Sequence, residues 1–217
     1  MTESNAAHGI VVDWLGYNAG LKPNQTALIE LPSGRRQSYA QAHGRVGRVA
    51  TWLSSLGVGR GDRVGVLALN SMDTLDIVFA TWRLGAVHLA LNFRLTAPEL
   101  DYIIGNAEPM VMIYDEELSQ TVEGLTVQVP HVFETQGQGA PSAFESAIEN
   151  QAPMLDMVSL TTDEQCMLMY SSGTTGLPKG VIITHGMMVW AQINASSMHC
   201  NSDMVGLTVM PLFHIGG

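Results

Sequence analysis

The densest concentration of residues able to do chemistry runs from Tyr170 to Val181, Tyr-Ser-Ser-Gly-Thr-Thr-Gly-Leu-Pro-Lys-Gly-Val. Four hydroxyls, three glycines and one lysine stand between two apolar runs, Cys166 to Tyr170 and Val181 to Thr184. Each run is short and partly β-branched, which predicts a buried strand ending at a turn. Glycine lets a ligand approach the backbone, and hydroxyls and exposed N–H groups donate to anionic oxygens, so the loop reads as one that grips phosphate. Lys179 adds a mobile positive charge at its far end. The plainer alternative is a polar hairpin with no ligand, because Gly, Ser and Thr are ordinary turn residues. A nucleoside-triphosphatase loop of the G-x-x-x-x-G-K-[ST] type does not fit. Pro178 stands where its second glycine belongs, and Gly180 replaces the metal-binding hydroxyl after the lysine.

Charge sharpens the reading of Lys179. The net charge is −10, and no Lys or Arg occurs between Arg94 and Lys179. Such a balance argues against a nucleic-acid partner, which needs clustered basic residues. The carboxylates of that stretch, from Glu99 and Asp101 through Asp163 and Glu164, read as a solvated acidic face. Cys166 and Cys200 are too few for a disulfide framework and lack metal spacing, so both read as reduced structural thiols. His8, His43, His88, His131 and His199 are scattered without ligand-like spacing, and no metal-ligand set is expected. His185, at the head of a helix, reads as structural. Met187, Met188, Met198 and Met210 read as adaptable core filler that could also line a tunnel. No apolar run reaches the roughly 20 residues of a transmembrane span, and Met1 to Ala7 lacks the features of a secretory signal, which leaves the cytoplasm as the expected location.

The elements that must hold the loop follow from periodicity. With 217 residues, 46% of them hydrophobic and 14% charged, the chain can bury a sizeable core. Ala27 to Tyr39 predicts a hairpin about Pro32-Ser33-Gly34. Val46, Val49, Ala50 and Leu53 repeat at helical spacing over Tyr39 to Leu56, with Gly57 as C-terminal cap. Strands are expected at Val64 to Leu69, Val87 to Leu91 and Met110 to Tyr114, with helices over Asp73 to Leu84 and Pro98 to Asn106. Thr96 and Glu99 form a capping box for the latter. The signal weakens from Asp115 to about Leu160. A helix over Met187 to Ser197 and a strand over Leu207 to Leu212, leading into His214, complete the pattern. Alternation at these lengths predicts an α/β fold with a mainly parallel sheet flanked by helices.

The Tyr170 to Val181 segment resembles the phosphate-binding signature of the adenylate-forming superfamily, which includes acyl-CoA and aryl-CoA synthetases, luciferase-type enzymes and peptide-synthetase adenylation domains. Pro211-Leu212-Phe213-His214 with Gly216-Gly217 resembles the family's next motif. Asn92-Phe93-Arg94-Leu95 with Glu99-Leu100, and Gly61-Asp62-Arg63-Val64, resemble phrases of its acyl-CoA branch. The resemblance extends from about Trp14 onward. It implies that Ser171, Ser172, Gly173, Thr174, Thr175, Gly176 and Lys179 bind the phosphates of ATP, and that His214 is the catalytic residue beside the carboxylate.

The same resemblance implies ATP, Mg2+ and coenzyme A as cofactors and co-substrates and a small-molecule carboxylic acid as partner. The product would be an acyl-AMP, then a thioester, with AMP and pyrophosphate released. It implies an N-terminal segment over 1–25, a first α/β subdomain over 26–150 and the beginning of a second over 151–217, all within a large N-terminal domain. The adenine-binding, ribose-binding and C-terminal lysine motifs of the family do not occur. The chain is therefore expected to be an N-terminal fragment, inactive alone and self-associating, with a homodimer as one form. A non-catalytic nucleotide- or partner-binding half-domain is the alternative.

Overall fold

The computed structural model describes residues 11–137, 139–171, 176–196 and 204–214. Ser172, Gly173, Thr174 and Thr175 lie outside the described residues, as do His8, Met198, His199, Cys200, Gly216 and Gly217.

Helix α1 (Trp14–Leu21) starts at Asp13, whose carboxylate accepts the Gly16 N–H at 2.8 Å. The hairpin pairs β1 (Thr26–Ile29) antiparallel with β2 (Arg36–Ser38). Ser38 then caps α2 (Tyr39–Ser55) in a reciprocal box, its hydroxyl accepting from Gln41 N–H and the Gln41 side chain accepting from Ser38 N–H. Gly57 follows with φ of +89°, the left-handed turn that ends the helix.

The main layer is a six-stranded sheet. Strand β3 (Arg63–Leu67) leads to α3 (Met72–Arg83), and β4 (Val87–Ala90) to α4 (Ala97–Ala107). Then come β5 (Val111–Asp115), the short α5 (Ser119–Glu123), β6 (His131–Thr135) and α6 (Ala143–Ile148). Strands β7 (Gln165–Ser171) and β8 (Lys179–Thr184) flank the signature loop, and α7 (His185–Ser196) follows. The order is β6-β5-β3-β4-β7-β8, parallel throughout except for β8.

Side-chain alternation explains why both faces are covered. Val64, Val66, Val111 and Ile113 pack under α2 and α3, with Val46, Val49, Leu53 and Ile77. Leu67, Leu89 and Met112 point the other way, onto Leu100, Ile103 and Ile104 of α4. A parallel sheet buried on both faces needs apolar residues at consecutive positions, which is why β3 to β5 lack polar alternation. Each fully buried Leu or Ile contributes about 1.5–3 kcal/mol.

Two expectations fail. Strand β8 is not buried: Val181 and Ile182 are about half exposed and Ile183 alone is covered, because among the described residues no strand lies beyond it. Leu207 to Leu212 forms no strand; Leu207 and Val209 are largely exposed, and the segment is held by a side chain, Asn70, in place of a ladder. Met187 and Met210 are likewise exposed and do not fill the core. No helix among the described residues is long and apolar enough to cross a membrane.

Candidate functional site

The sheet's topology sets where a ligand can sit. From the centre, β4 lies on one side of β3 and β5 on the other. The loops after β3 and β4 therefore leave toward opposite faces, to α3 and α4. Between them the carboxyl ends of the strands open a crevice, the usual ligand position in open α/β sheets. A cavity of about 850 Å³ occupies the β4, β7 and α4 side of this edge. Its lining includes Ala90 and Asn92 after β4, Pro98, Tyr102 and Ile103 of α4, Met169 to Ser171 of β7, and Gly176 to Pro178 of the loop. Phe213 and His214 complete it.

The structure thus brings Ser171, Gly176 and His214 to one cavity. Lys179 is exposed on β8, in register with Ser171, and does not line the cavity. The loop ends are tied to adjacent strands because so short a connection cannot make the crossover that a parallel pair requires. Gly176 has φ of +103°, and a Cβ there would meet nothing within 4 Å. The backbone conformation therefore calls for glycine while leaving open space above it.

Side chains near the cavity fix its walls. The Tyr170 hydroxyl donates to Asn106 Oδ1 at 2.5 Å, joining the end of β7 to α4. Burial and the neighbouring Tyr102 push the Tyr170 phenol above its usual range, so it remains a neutral donor. Phe93 and Phe213 meet edge-on at 90° with centroids 5.0 Å apart, and the Arg94 guanidinium lies 5.6 and 5.9 Å from the two rings. The Glu99 carboxylate accepts from the Thr96 hydroxyl at 2.7 Å and N–H at 2.8 Å, and these bonds hold it below the usual carboxylate range.

Other titratable residues sit elsewhere. His185 is buried with its ring 5.7 Å from Trp82, and burial lowers its pKa. His88 is buried in β4, and burial pushes it down to about 4. Burial pushes the Cys166 thiol up to about 12, which makes it inert.

The solvated acidic face does not extend to Glu145 or Asp115. Asp115 is buried, and Glu145 pairs with Arg45 in a buried network that also holds Asp73 and Asp76. That network, Asn70 and the Tyr170–Asn106 bond were missed in the sequence; Tyr170 lines the cavity, and Asn70 bonds Met210 and Leu212 in the segment that leads to Phe213 and His214 on its wall. No local pattern marks them, because each contact joins residues far apart in the chain.

Solved structures share this fold. The family described as AMP-binding enzyme matches residues 16–217. Indoleacetate–CoA ligase of Aromatoleum aromaticum is 33% identical over 211 residues, covering 94% of this chain and 41% of that protein. Feruloyl-CoA synthase of an Amycolatopsis species is 35% identical over 203 residues, covering 93% and 39%. The inhibitor-bound N-terminal domain of FACL13 from Mycobacterium tuberculosis superposes with a TM-score of 0.80 at 28% identity, over 95% of this chain and 52% of that one. Apo MatB from Rhodopseudomonas palustris gives the same TM-score of 0.80, over 92% and 40%. The chain spans about two fifths of the length of the curated relatives it matches. With a parallel α/β sheet, a signature loop and a histidine turn at one edge, and a match along nearly its whole length, the chain belongs to the AMP-binding enzyme family.

Proposed function

We propose that the whole protein is an ATP-dependent, AMP-forming ligase that activates a small-molecule carboxylic acid as acyl-AMP and transfers the acyl group to coenzyme A. The observation that carries this reading is the convergence of Ser171, Gly176 and His214 on one cavity at the carboxyl edge of the sheet. The relatives' names span indoleacetate, ferulate and long-chain fatty acids, which supports the acid–thiol ligase class and leaves the acid itself open.

Attack of a carboxylate on the α-phosphorus of ATP brings two anions together. Catalysis therefore needs donors fixed where the charge gathers. The Ser171 hydroxyl and the backbone at Gly176 fit a phosphate chain lying over the open side of the loop. Lys179, one strand position across from Ser171, reaches the same oxygens by its flexible stem. Ser172, Gly173, Thr174 and Thr175 supply the remaining donors in this reading. His214, also on the cavity wall, borders the acid's carboxylate and orients it toward phosphorus in this reading. Mg2+ bound with ATP supplies further neutralisation of the phosphates. The net charge of −10 repels polyanionic coenzyme A, so its phosphates require a basic patch other than the bulk surface.

Use of ATP and coenzyme A favours a cytoplasmic setting. The proposed division at about residue 150 makes β7, β8 and α7 the first elements of a second subdomain. For the 217-residue chain by itself we propose no adenylation, and self-association through the uncovered edge strand β8, where Val181 and Ile182 are about half exposed.

The test is pyrophosphate release from the whole protein with ATP, Mg2+ and a panel of aromatic and fatty acids. Acid-dependent release is expected. Lys179→Ala is expected to lower kcat/KM for ATP by roughly tenfold to a hundredfold, the loss of one charge-assisted hydrogen bond. Unchanged efficiency would remove Lys179 from the phosphate site, and no release with any acid would sink the ligase reading.

A further inference from the structure

We propose that Asn70 is the positioning residue for His214, its side-chain amide standing in for a strand that the 210–214 segment lacks. The Asn70 Nδ2 group donates to the Met210 carbonyl at 2.8 Å, and Asn70 Oδ1 accepts the Leu212 N–H at 2.8 Å. A carboxamide carries one donor edge and one acceptor edge. Here both are used by the residues on either side of Pro211. In a parallel ladder one residue bonds the same way, to the carbonyl before its neighbour and the N–H after it. The residue skipped in that pattern needs no donor, and Pro211 has none.

The two ends of this clamp are differently anchored. Asn70 sits between β3 and α3. Leu69 on one side gives its carbonyl to the Thr74 hydroxyl at 3.2 Å, and Ser71 on the other caps α3 by accepting from Thr74 N–H at 3.2 Å. The amide is therefore presented from a fixed backbone. Residues 204–209 have no regular structure, and Val205, Leu207 and Val209 are largely exposed, so burial of these residues does not steady the segment. Beyond the clamp, His214 N–H closes a turn onto the Pro211 carbonyl at 3.0 Å, and the Phe213 ring rests on Phe93. The sequence of contacts runs from Asn70, through the 211–214 turn, to His214 on the cavity wall. Its catalytic consequence rests on the ligase reading above; the clamp itself does not.

Hydrogen exchange of the 210–213 peptide in the whole protein reads the clamp directly. In Asn70→Ala the Leu212 amide is expected to exchange roughly fivefold faster, since a net hydrogen bond of about 1 kcal/mol is lost. Asn70→Asp keeps the acceptor and loses the donor, so Leu212 stays protected while the Met210 carbonyl is released. If Asn70→Ala does not fold, Asn70→Asp and Asn70→Ser carry the comparison. In the pyrophosphate assay Asn70→Ala is expected to lower kcat/KM for the acid about tenfold or more and leave KM for ATP unchanged, with Asn70→Asp between the two. Identical exchange at Leu212 in parent and Asn70→Ala overturns the clamp. Faster exchange with unaltered acid kinetics, or equal losses for acid and ATP, overturns the positioning role. A parent protein that releases no pyrophosphate defeats the ligase reading while the exchange result still decides the clamp.

Discussion

Replacing Arg45 by Met tests whether the buried charges hold the first four strands' helices together. Arg45 Nε donates to Asp76 Oδ2 at 2.6 Å, Nη2 to Asp73 Oδ1 at 2.9 Å and Nη1 to Glu145 Oε2 at 3.0 Å. One guanidinium thus joins α2, α3 and α6. Asp73 keeps a second partner in Arg35 at 2.6 Å, but Asp76 has no other described basic partner within bonding distance. Asp73 and Asp76 are 0% and 1% exposed. Burial already lifts the Asp76 carboxyl to about 7 against the opposing pull of Arg45. Met fills much of the vacated volume, so the cost is chiefly that of an uncompensated buried carboxylate, about 3–5 kcal/mol. With a urea slope of about 2–3 kcal/mol/M, the midpoint falls by roughly 1–2 M at pH 8. The sign of the pH dependence follows from linkage. In Arg45→Met the folded-state pKa of Asp76 rises further above its unfolded value of roughly 3.9, so the penalty is full above the folded pKa and shrinks as pH falls. Urea titrations followed by tryptophan fluorescence at pH 8 and 5.5 measure both terms. A midpoint within about 0.3 M of the parent at pH 8, or a deficit equal at both pH values, would refute the argument.

His88, buried and pushed down to about 4 from an ordinary 6.5, should cost the folded chain stability as pH falls from 6.5 toward 4. The loss is on the order of 2–3 kcal/mol, and His88→Leu should flatten that part of the pH profile; superimposable profiles would rule His88 out. Gly47→Ala in α2 should destabilise by about 1–3 kcal/mol despite alanine's helix preference, because its Cβ would lie 2.7 Å from the Met154 carbonyl oxygen and 2.9 Å from Pro153 Cβ. Gly44→Ala on the same helix meets nothing within 4 Å and should raise thermal stability; the reverse ranking of the two melting temperatures would contradict the packing argument.

What could be read in the sequence was local. The capping pair Thr96–Glu99, the glycine at 57 with positive φ, and the apolar strands β3, β4 and β5 all follow from short-range chemistry, and each element lies within two residues of its expected span. Strand β6 escaped because its residues, His131-Val-Phe-Glu-Thr135, are mostly half-exposed and carry neither an alternating nor a continuous apolar pattern. The α6 helix did leave a signal: Ser142 precedes Glu145 by three, and the Ser142 hydroxyl accepts the Glu145 N–H at 3.1 Å. For the candidate site, residue types marked Ser171, Gly176 and Lys179, and the family resemblance marked His214. The cavity where Ser171, Gly176 and His214 meet depends on contacts such as Asn70 with Leu212 and Phe93 with Phe213, which tertiary packing alone creates.

The antiparallel turn between β7 and β8 also bears on the order in which the chain assembles. Its register, from Ser171 opposite Lys179 to Gln165 opposite Thr184, is made of neighbours in sequence, so the hairpin closes on a small loop. Docking it is another matter, because Leu168 must find Leu89 across β5, β6 and α6. The four strands β6-β5-β3-β4 have their own pairings and can be complete before β7 emerges from the ribosome. Non-local parallel pairing is the slow step in such a topology. The β7–β8 hairpin therefore docks after the other four strands, and the cavity that Ser171 and Gly176 line is completed only once β6-β5-β3-β4 have set.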